Sequence, residues 1–288
     1  MPVSWDLDHS ASAPRPWTEL RPRDLWGWPL PGLARFGDRL LARLAGLLAL
    51  RGIQDIEGWE RIHPRNDPFL LVANHSSRRE ALLLPAILLL GRGGSPVRFL
   101  ADWNFRLIPG VGHLYDRTGT ITLTRKDARP RLLNRLKPLF EPPIPAHVEA
   151  LSHLRGGGSV GIFPEGTVNR DGGRLLRGRR GAARLSLEAG VPVVPVGIRF
   201  TGVDPRTGLV VSGSSLRIRF GEVLHPPHPV ALPASLGAVS DRHEELMTSI
   251  AALCGKEWSG TPPSRGIRTR TWRPAPPFIE PRRGDTPC

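Results

Sequence analysis

Two segments of the 288-residue chain bring together side chains able to move protons. The first is Asn74-His75-Ser76-Ser77-Arg78-Arg79-Glu80, directly after the apolar run Phe69–Ala73. A strand ending there, with a helix starting near Arg78, puts His75 at a strand's carboxyl end beside a helix's amino end. α/β folds place their ligands at such positions. His75 suits a general base, and Glu80, five residues on, can fold back to its other ring nitrogen. There it would fix the tautomer and stabilise the imidazolium. Ser77-x-x-Glu80 is equally a capping box, with the glutamate reaching back to the Ser77 N–H. Spacing leaves both readings open. The second segment, Val160–Arg170, runs a strand into Pro164 and then presents Glu165, Gly166 and Thr167. It is either a polar cluster at a strand end or a proline turn with a solvent-facing Glu165.

Other local patterns carry less. Gly157-Gly158-Ser159-Val160-Gly161 fits a nucleophile elbow, but the elbow needs a strand before its serine, and here the strand follows. Gly156, Gly158 and Gly161 fit a dinucleotide fingerprint with the same reversed order. There is no Walker A loop and no H-E-x-x-H. Both segments read as a turn.

The elements that must position His75 and Glu165 alternate along the chain. Expected strands are Ile53–Trp59, Phe69–Ala73, Val97–Leu100, Thr120–Thr124, Ser159–Phe163, Val193–Ile198 and Leu216–Phe220. Expected helices are Arg78–Leu90, Ala146–Arg155, Arg177–Ala189 and Asp241–Gly255. This interleaving predicts one α/β domain over residues 53–258, with a mixed, mostly parallel seven-stranded sheet flanked by helices. Residues 1–30, rich in Pro and Trp, read as an irregular arm, and 259–288, rich in Pro and Arg, as a disordered tail. Between them, 31–52 places Leu33, Phe36, Leu40, Leu41, Leu44, Leu47 and Leu48 at helical spacing. That pattern is either a core-packing helix or an arginine-faced helix lying in a membrane interface.

Lys plus Arg outnumber Asp plus Glu by 40 to 26, a net charge of +14, and only Lys126, Lys137 and Lys256 are lysines. Such an excess predicts an anionic partner: nucleic acid, a membrane surface or a phosphorylated substrate. Without a recognisable reading module, nucleic acid is the weakest of these. Two cysteines, Cys254 and Cys288, exclude a disulfide scaffold and a Cys-rich metal centre. The amino terminus lacks a signal-peptide pattern, and no uncharged apolar run reaches the length of a membrane span. The Arg170–Arg184 stretch, six arginines against Asp171, follows the second segment directly. It is either a solvated face or a collector of anionic groups.

Taken in order, Asn74-His75-x4-Glu80, Tyr115-Asp116-Arg117, Phe163-Pro-Glu-Gly-Thr167 and Val191-Pro-Val-Val-Pro-Val196 resemble the four motifs of the glycerolipid acyltransferase family. These are the 1-acylglycerol-3-phosphate and related lysophospholipid acyltransferases. The resemblance covers about Ile53 to Phe220. It implies that His75 is a general base acting on an acceptor hydroxyl, that Arg117 contacts the acceptor phosphate, and that Glu165, Gly166 and Thr167 position its glycerol. Arg170 would join the binding residues. It implies a donor that is acyl-CoA or an acyl-carrier protein, no acyl-enzyme, and no metal or other cofactor. The expected setting is peripheral or monotopic, on an anionic membrane at its cytoplasmic face. Three departures stand out. Glu80 replaces the family's aspartate, Arg78 and Arg79 occupy positions more often polar or aromatic, and the second motif is reduced to Tyr-Asp-Arg. An alternative is a catalytically weak or inactive relative that binds lipid as a scaffold.

Overall fold

A computed structural model of the chain describes residues 17–108, 111–124, 126–128, 130–227 and 233–260. The strands are β1 (Ile53–Glu57), β2 (Leu70–Ala73), β3 (Arg98–Asp102), β4 (Ile121–Leu123), β5 (Val160–Ile162), β6 (Val193–Phe200) and β7 (Leu216–Phe220). The helices are α1 (Pro22–Trp26), α2 (Phe36–Gly52), α3 (Glu80–Gly91), α4 (Val111–Thr118), α5 (Ala146–Arg155), α6 (Gly181–Ala189) and α7 (Leu236–Cys254). All seven expected strands form. They make one sheet in the order β1-β7-β6-β2-β5-β3-β4, parallel at every contact except β6–β7.

The centre of that sheet is dictated by β2, whose four residues are all buried. Side chains alternate across a strand, so Leu71 and Ala73 enter one core with Leu84, Ile198 and Phe220. Leu70 and Val72 enter the other with Leu154, Leu185 and Ile250. Strand β2 pairs with β5 in the register Leu70↔Val160 and Val72↔Ile162. The loops after these two strands therefore leave the sheet side by side. Register alone joins segments 90 residues apart.

Several boundaries differ from expectation. Strand β1 stops at Glu57 because Gly58 turns the chain at φ +73°, where a Cβ would lie 2.2 Å from the Phe220 carbonyl oxygen. Helix α3 begins at Glu80, later than Arg78. Helix α4, which carries Tyr115-Asp116-Arg117, was not expected. The described part of the arm, from residue 17, is not irregular. It holds α1 and buries Trp17, Leu25 and Trp28, whose indole N–H groups reach Ile53 O (3.0 Å) and Leu90 O (2.9 Å) from Trp17 and Trp28. Residues 1–16 of the arm and 261–288 of the tail lie outside the described residues.

Helix α2 also presents an unexpected face. Ala42, Gly46, Ala49 and Gly52 are its buried residues. A Cβ on Gly46 would sit 2.4 Å from Leu90 Cδ1, so only small residues permit this approach to α3. The leucine-rich side is left partly outside, with Phe36 72% and Leu48 62% exposed. Ser159, the serine of the elbow-like string, immediately precedes β5 and is buried. Its hydroxyl accepts the Phe69 N–H (3.0 Å) and donates to Asp67, both of whose oxygens accept from the single Nη2 of buried Arg92 at 2.9 and 2.6 Å. It staples the amino ends of β2 and β5, at the opposite edge from His75.

Candidate active site

Each loop is pinned before it presents a functional group. Buried Asn74 binds the β6 backbone in both directions, accepting Ile198 N–H at 2.7 Å and donating to Ile198 O at 2.9 Å. His75 comes next. Its N–H donates to Glu165 Oε1 (2.9 Å), and its carbonyl accepts the Asn169 N–H (2.7 Å). Its ring stacks on Phe163, with centroids 4.6 Å apart. Nδ1 lies 3.1 Å from Glu80 Oε1. A carboxylate only accepts, so in the neutral ring the proton belongs on Nδ1 and the lone pair on Nε2.

Glu80 makes both contacts that its spacing left open. The oxygen that meets His75 also accepts the N–H groups of Ser76 and Ser77, the latter at 2.5 Å. The Ser77 hydroxyl accepts the Arg79 N–H at 2.9 Å. Cap and histidine partner are thus a single atom. Glu80 is fully buried, and its Oε2 has no hydrogen-bond partner among the described residues.

Glu165 is the brace between the two loops. It is 5% exposed, and its Oε2 accepts from Asn169 Nδ2 (2.8 Å) and the Leu176 N–H (3.0 Å). With Oε1 on the His75 N–H, both oxygens serve protein groups. Glu165, expected beside the acceptor's glycerol, thus binds the two loops to each other. Gly166 sits at φ +67°, and its carbonyl accepts from Lys126 Nζ at 2.7 Å. A Cβ at Gly166 would meet Arg179 Nε at 2.7 Å.

A cleft of about 1430 Å³ opens over this floor, lined by His75, Arg78, Arg79, Thr167, Arg170 and Arg179 among others. Arg79 and Arg170 each donate to a backbone carbonyl, of Ser214 (3.0 Å) and Val210 (3.1 Å). Arg78, Arg170 and Arg179 are exposed towards the opening. Tyr115 lines the cleft too, and burial pushes its phenol up to about 12, so it stays protonated. Arg117 is not brought to the cleft. Its Nη1, expected on an acceptor phosphate, pairs here with Asp38 Oδ2 of α2 at 3.3 Å. The short second motif thus contributes its tyrosine.

One residue went unforeseen. Lys256, after α7, is 7% exposed and donates to Ser76 Oγ (2.8 Å) and Asp171 O (2.6 Å). It ties the loop after β2 to the loop after β5. Nothing local in sequence signals this, since Ser76 lies 180 residues away. The neighbouring Cys254 thiol is pushed up to about 12 by burial, which keeps it an unreactive thiol. Among the described residues, no group of three or more His, Cys, Asp or Glu is placed to hold a metal ion. No helix there is long and apolar enough to cross a membrane.

A model of the Acyltransferase family matches residues 55–199, from β1 through β6 and across both loops. The chain belongs to that family. Among its relatives, a chloroplast 1-acyl-sn-glycerol-3-phosphate acyltransferase of Brassica napus is 30% identical over 175 residues, 60% of this chain and 44% of that one. A lyso-ornithine lipid O-acyltransferase of Pseudomonas aeruginosa is 31% identical over 160 residues, 54% of each chain. The chain thus spans about half the length of the relatives it matches. The crystal structure of a 1-acyl-sn-glycerophosphate acyltransferase from Thermotoga maritima aligns with a TM-score of 0.49 at 22% identity, covering 79% of this chain and 86% of that one. Within this acyltransferase-family chain, His75, Glu80 and Glu165 all fall inside the matched span, and Lys256 falls outside it.

Proposed function

We propose that the protein is an O-acyltransferase moving a fatty acyl group from acyl-CoA or acyl-carrier protein to the hydroxyl of a lysophospholipid such as 1-acylglycerol-3-phosphate. The observation that carries this reading is His75 in the cleft, with Nδ1 held by buried Glu80 and Nε2 uncommitted. In the reaction, Nε2 takes the acceptor hydroxyl proton as the oxygen attacks the thioester carbonyl. The carbon–sulfur bond breaks, and the imidazolium returns the proton to the departing thiolate. No acyl-enzyme forms. A thioester is already activated, so one oriented base and correct positioning supply the catalysis, without metal or redox cofactor. Arg170, Arg78, Arg79 and Arg179 suit the acceptor or carrier phosphate, because a guanidinium binds it bidentately. The names of the two relatives above support a lipid acceptor.

The protein works on the cytoplasmic face of a membrane as a peripheral or monotopic enzyme. Exposed Phe36, Leu44 and Leu48 on α2, interleaved with Arg39 and Arg43, support that placement. The deciding assay is thiol release from acyl-CoA with a panel of lysophospholipids, comparing wild type and His75→Ala. A folded His75→Ala that keeps near wild-type turnover would falsify the general-base role. A wild type silent across the panel and with either donor would leave the lipid-scaffold alternative.

A further inference from the structure

The 3-10 helix Arg131–Phe140 lies against the body by one side only. Residues three apart share a face in such a helix, and Asn134, Lys137 and Phe140 form the inner one, with Arg131 exposed at its start. Asn134 Oδ1 accepts the Ala128 N–H at 2.7 Å, Lys137 pairs with Asp127 at 3.3 Å, and Phe140 stacks on Trp103 at 5.8 Å. The remaining two faces are Leu133-Leu136-Leu139 and Leu132-Arg135-Pro138. None of the helix's ten residues is buried, and Leu139 and Leu132 stand 77% and 67% exposed. The chain then runs directly into Glu141–His147, a wall of the cleft, where Ile144 both lines the cleft and reaches solvent.

We propose that this helix is a second membrane-seating surface, which sets the mouth of the cleft against an anionic bilayer. The inference rests on the lipid-acceptor reading of that cleft. Its leucines match the acyl layer, and Arg131 and Arg135 match the headgroup layer, the pattern of an interfacial segment. Charge selects the occupant. Residues 130–141 carry three basic residues against one acidic, the whole chain carries +14, and residues 261–288 carry six arginines against two acids. Neither a second copy nor the chain's own carboxyl-terminal segment complements such a surface, whereas anionic lipid does. A lysolipid entering from a bilayer held there passes Ile144 into the cleft.

The test uses the full chain with flotation on vesicles of phosphatidylcholine containing phosphatidylglycerol, and on phosphatidylcholine alone. The triple variant Leu132→Asp/Leu136→Asp/Leu139→Asp should lose at least about tenfold in partitioning to the anionic vesicles. Arg131→Gln/Arg135→Gln should lower binding to anionic vesicles and leave the neutral ones unchanged. Turnover of a monomeric short-chain acceptor should stay within about twofold of wild type in both, which also reports folding. Wild-type partitioning by the triple variant would overturn the proposal. So would a wild type that binds no vesicle, or one that is dimeric in solution with the triple variant monomeric and vesicle binding equal. If vesicle binding falls as expected while no protein turns over any acceptor, the surface stands and the acyltransferase reading fails.

Discussion

Replacing Glu80 separates its two roles, because the same oxygen serves the cap and the histidine. In Glu80→Gln the amide oxygen can keep all three contacts, so geometry and tautomer persist and only charge is removed. At the observed 3.1 Å, a full charge pair in surroundings of effective dielectric 20 is worth about 5 kcal/mol. With about half a proton's charge on the imidazole at the transition state, the loss is about 2–3 kcal/mol, or about 100-fold in kcat. Glu80→Asp keeps the charge but shortens the reach by about 1.5 Å. The same arithmetic then predicts a loss of only a few-fold. Stability should fall in Gln, because its NH2 lands where Oε2 is now buried without a partner, an orphan costing about 1–3 kcal/mol. Ser77→Ala is the control for capping alone. It removes the bond to the Arg79 N–H, about 1 kcal/mol of stability, and should leave kcat within about threefold. Acyl-CoA thiol release and thermal melts on the four proteins give the result. A Gln variant that melts lower but turns over within about threefold of wild type would refute the electrostatic role and leave Glu80 a cap.

Lys256→Met should lower kcat by about 10- to 100-fold with KM nearly unchanged, because it frees Ser76 and Asp171 without touching the cleft, and Lys256→Arg should recover part of it. Equal losses in kcat and melting temperature for both variants, with no recovery, would make it purely structural. Arg170→Ala should raise KM for a phosphate-bearing acceptor by about tenfold. Arg117→Ala should leave KM alone and cost less than about 1 kcal/mol, since it loses only a long, partly exposed pair with Asp38. The pKa values of His63, His153 and His243 are lowered, in each case first by burial and then by nearby arginines. All three bind a proton less readily when folded, so they take up protons on unfolding below about pH 6.5. The melting temperature should therefore hold above that pH and fall as the pH drops to 5.5. His243→Gln, which keeps a donor for the Arg177 carbonyl, should flatten that fall.

How much of this was readable depends on whether a partner is local. All seven strands were legible because a strand's pattern is its own, and the two site loops were legible because their residue types sit at strand ends. Glu80's double role was half legible, since the capping box and the reach to His75 both lie within six residues. Glu165 was located, but its partners, the His75 N–H and the Leu176 N–H, were not legible, because they come from register and loop path rather than from spacing. Arg117 resembled a motif residue, yet its charge is satisfied by Asp38 on a helix 79 positions earlier. Helix α2 shows the same limit. Its leucines announced an apolar stripe, but Leu-rich α3 leaves room only for glycine and alanine, so the small residues went inside.

The polar atoms of His75 are what make the site more than a collection of motif residues. Its N–H is held by Glu165, its carbonyl by Asn169, its Nδ1 by Glu80, and its ring face by Phe163. Three of those partners come from the loop after β5 and one from α3, so neither loop alone can orient the imidazole. Nε2 is the one polar atom left over, and it faces a cleft whose rim is basic. The arginines divide in the same way. Arg92 and Arg242 are buried and hold the fold, Arg106, Arg117 and Arg219 face carboxylates, and Arg78, Arg170 and Arg179 remain around the opening. Part of the +14 excess is therefore local to the site. Where it is left unpaired beside the one uncommitted nitrogen, it would gather a phosphate to the place where a hydroxyl can be deprotonated.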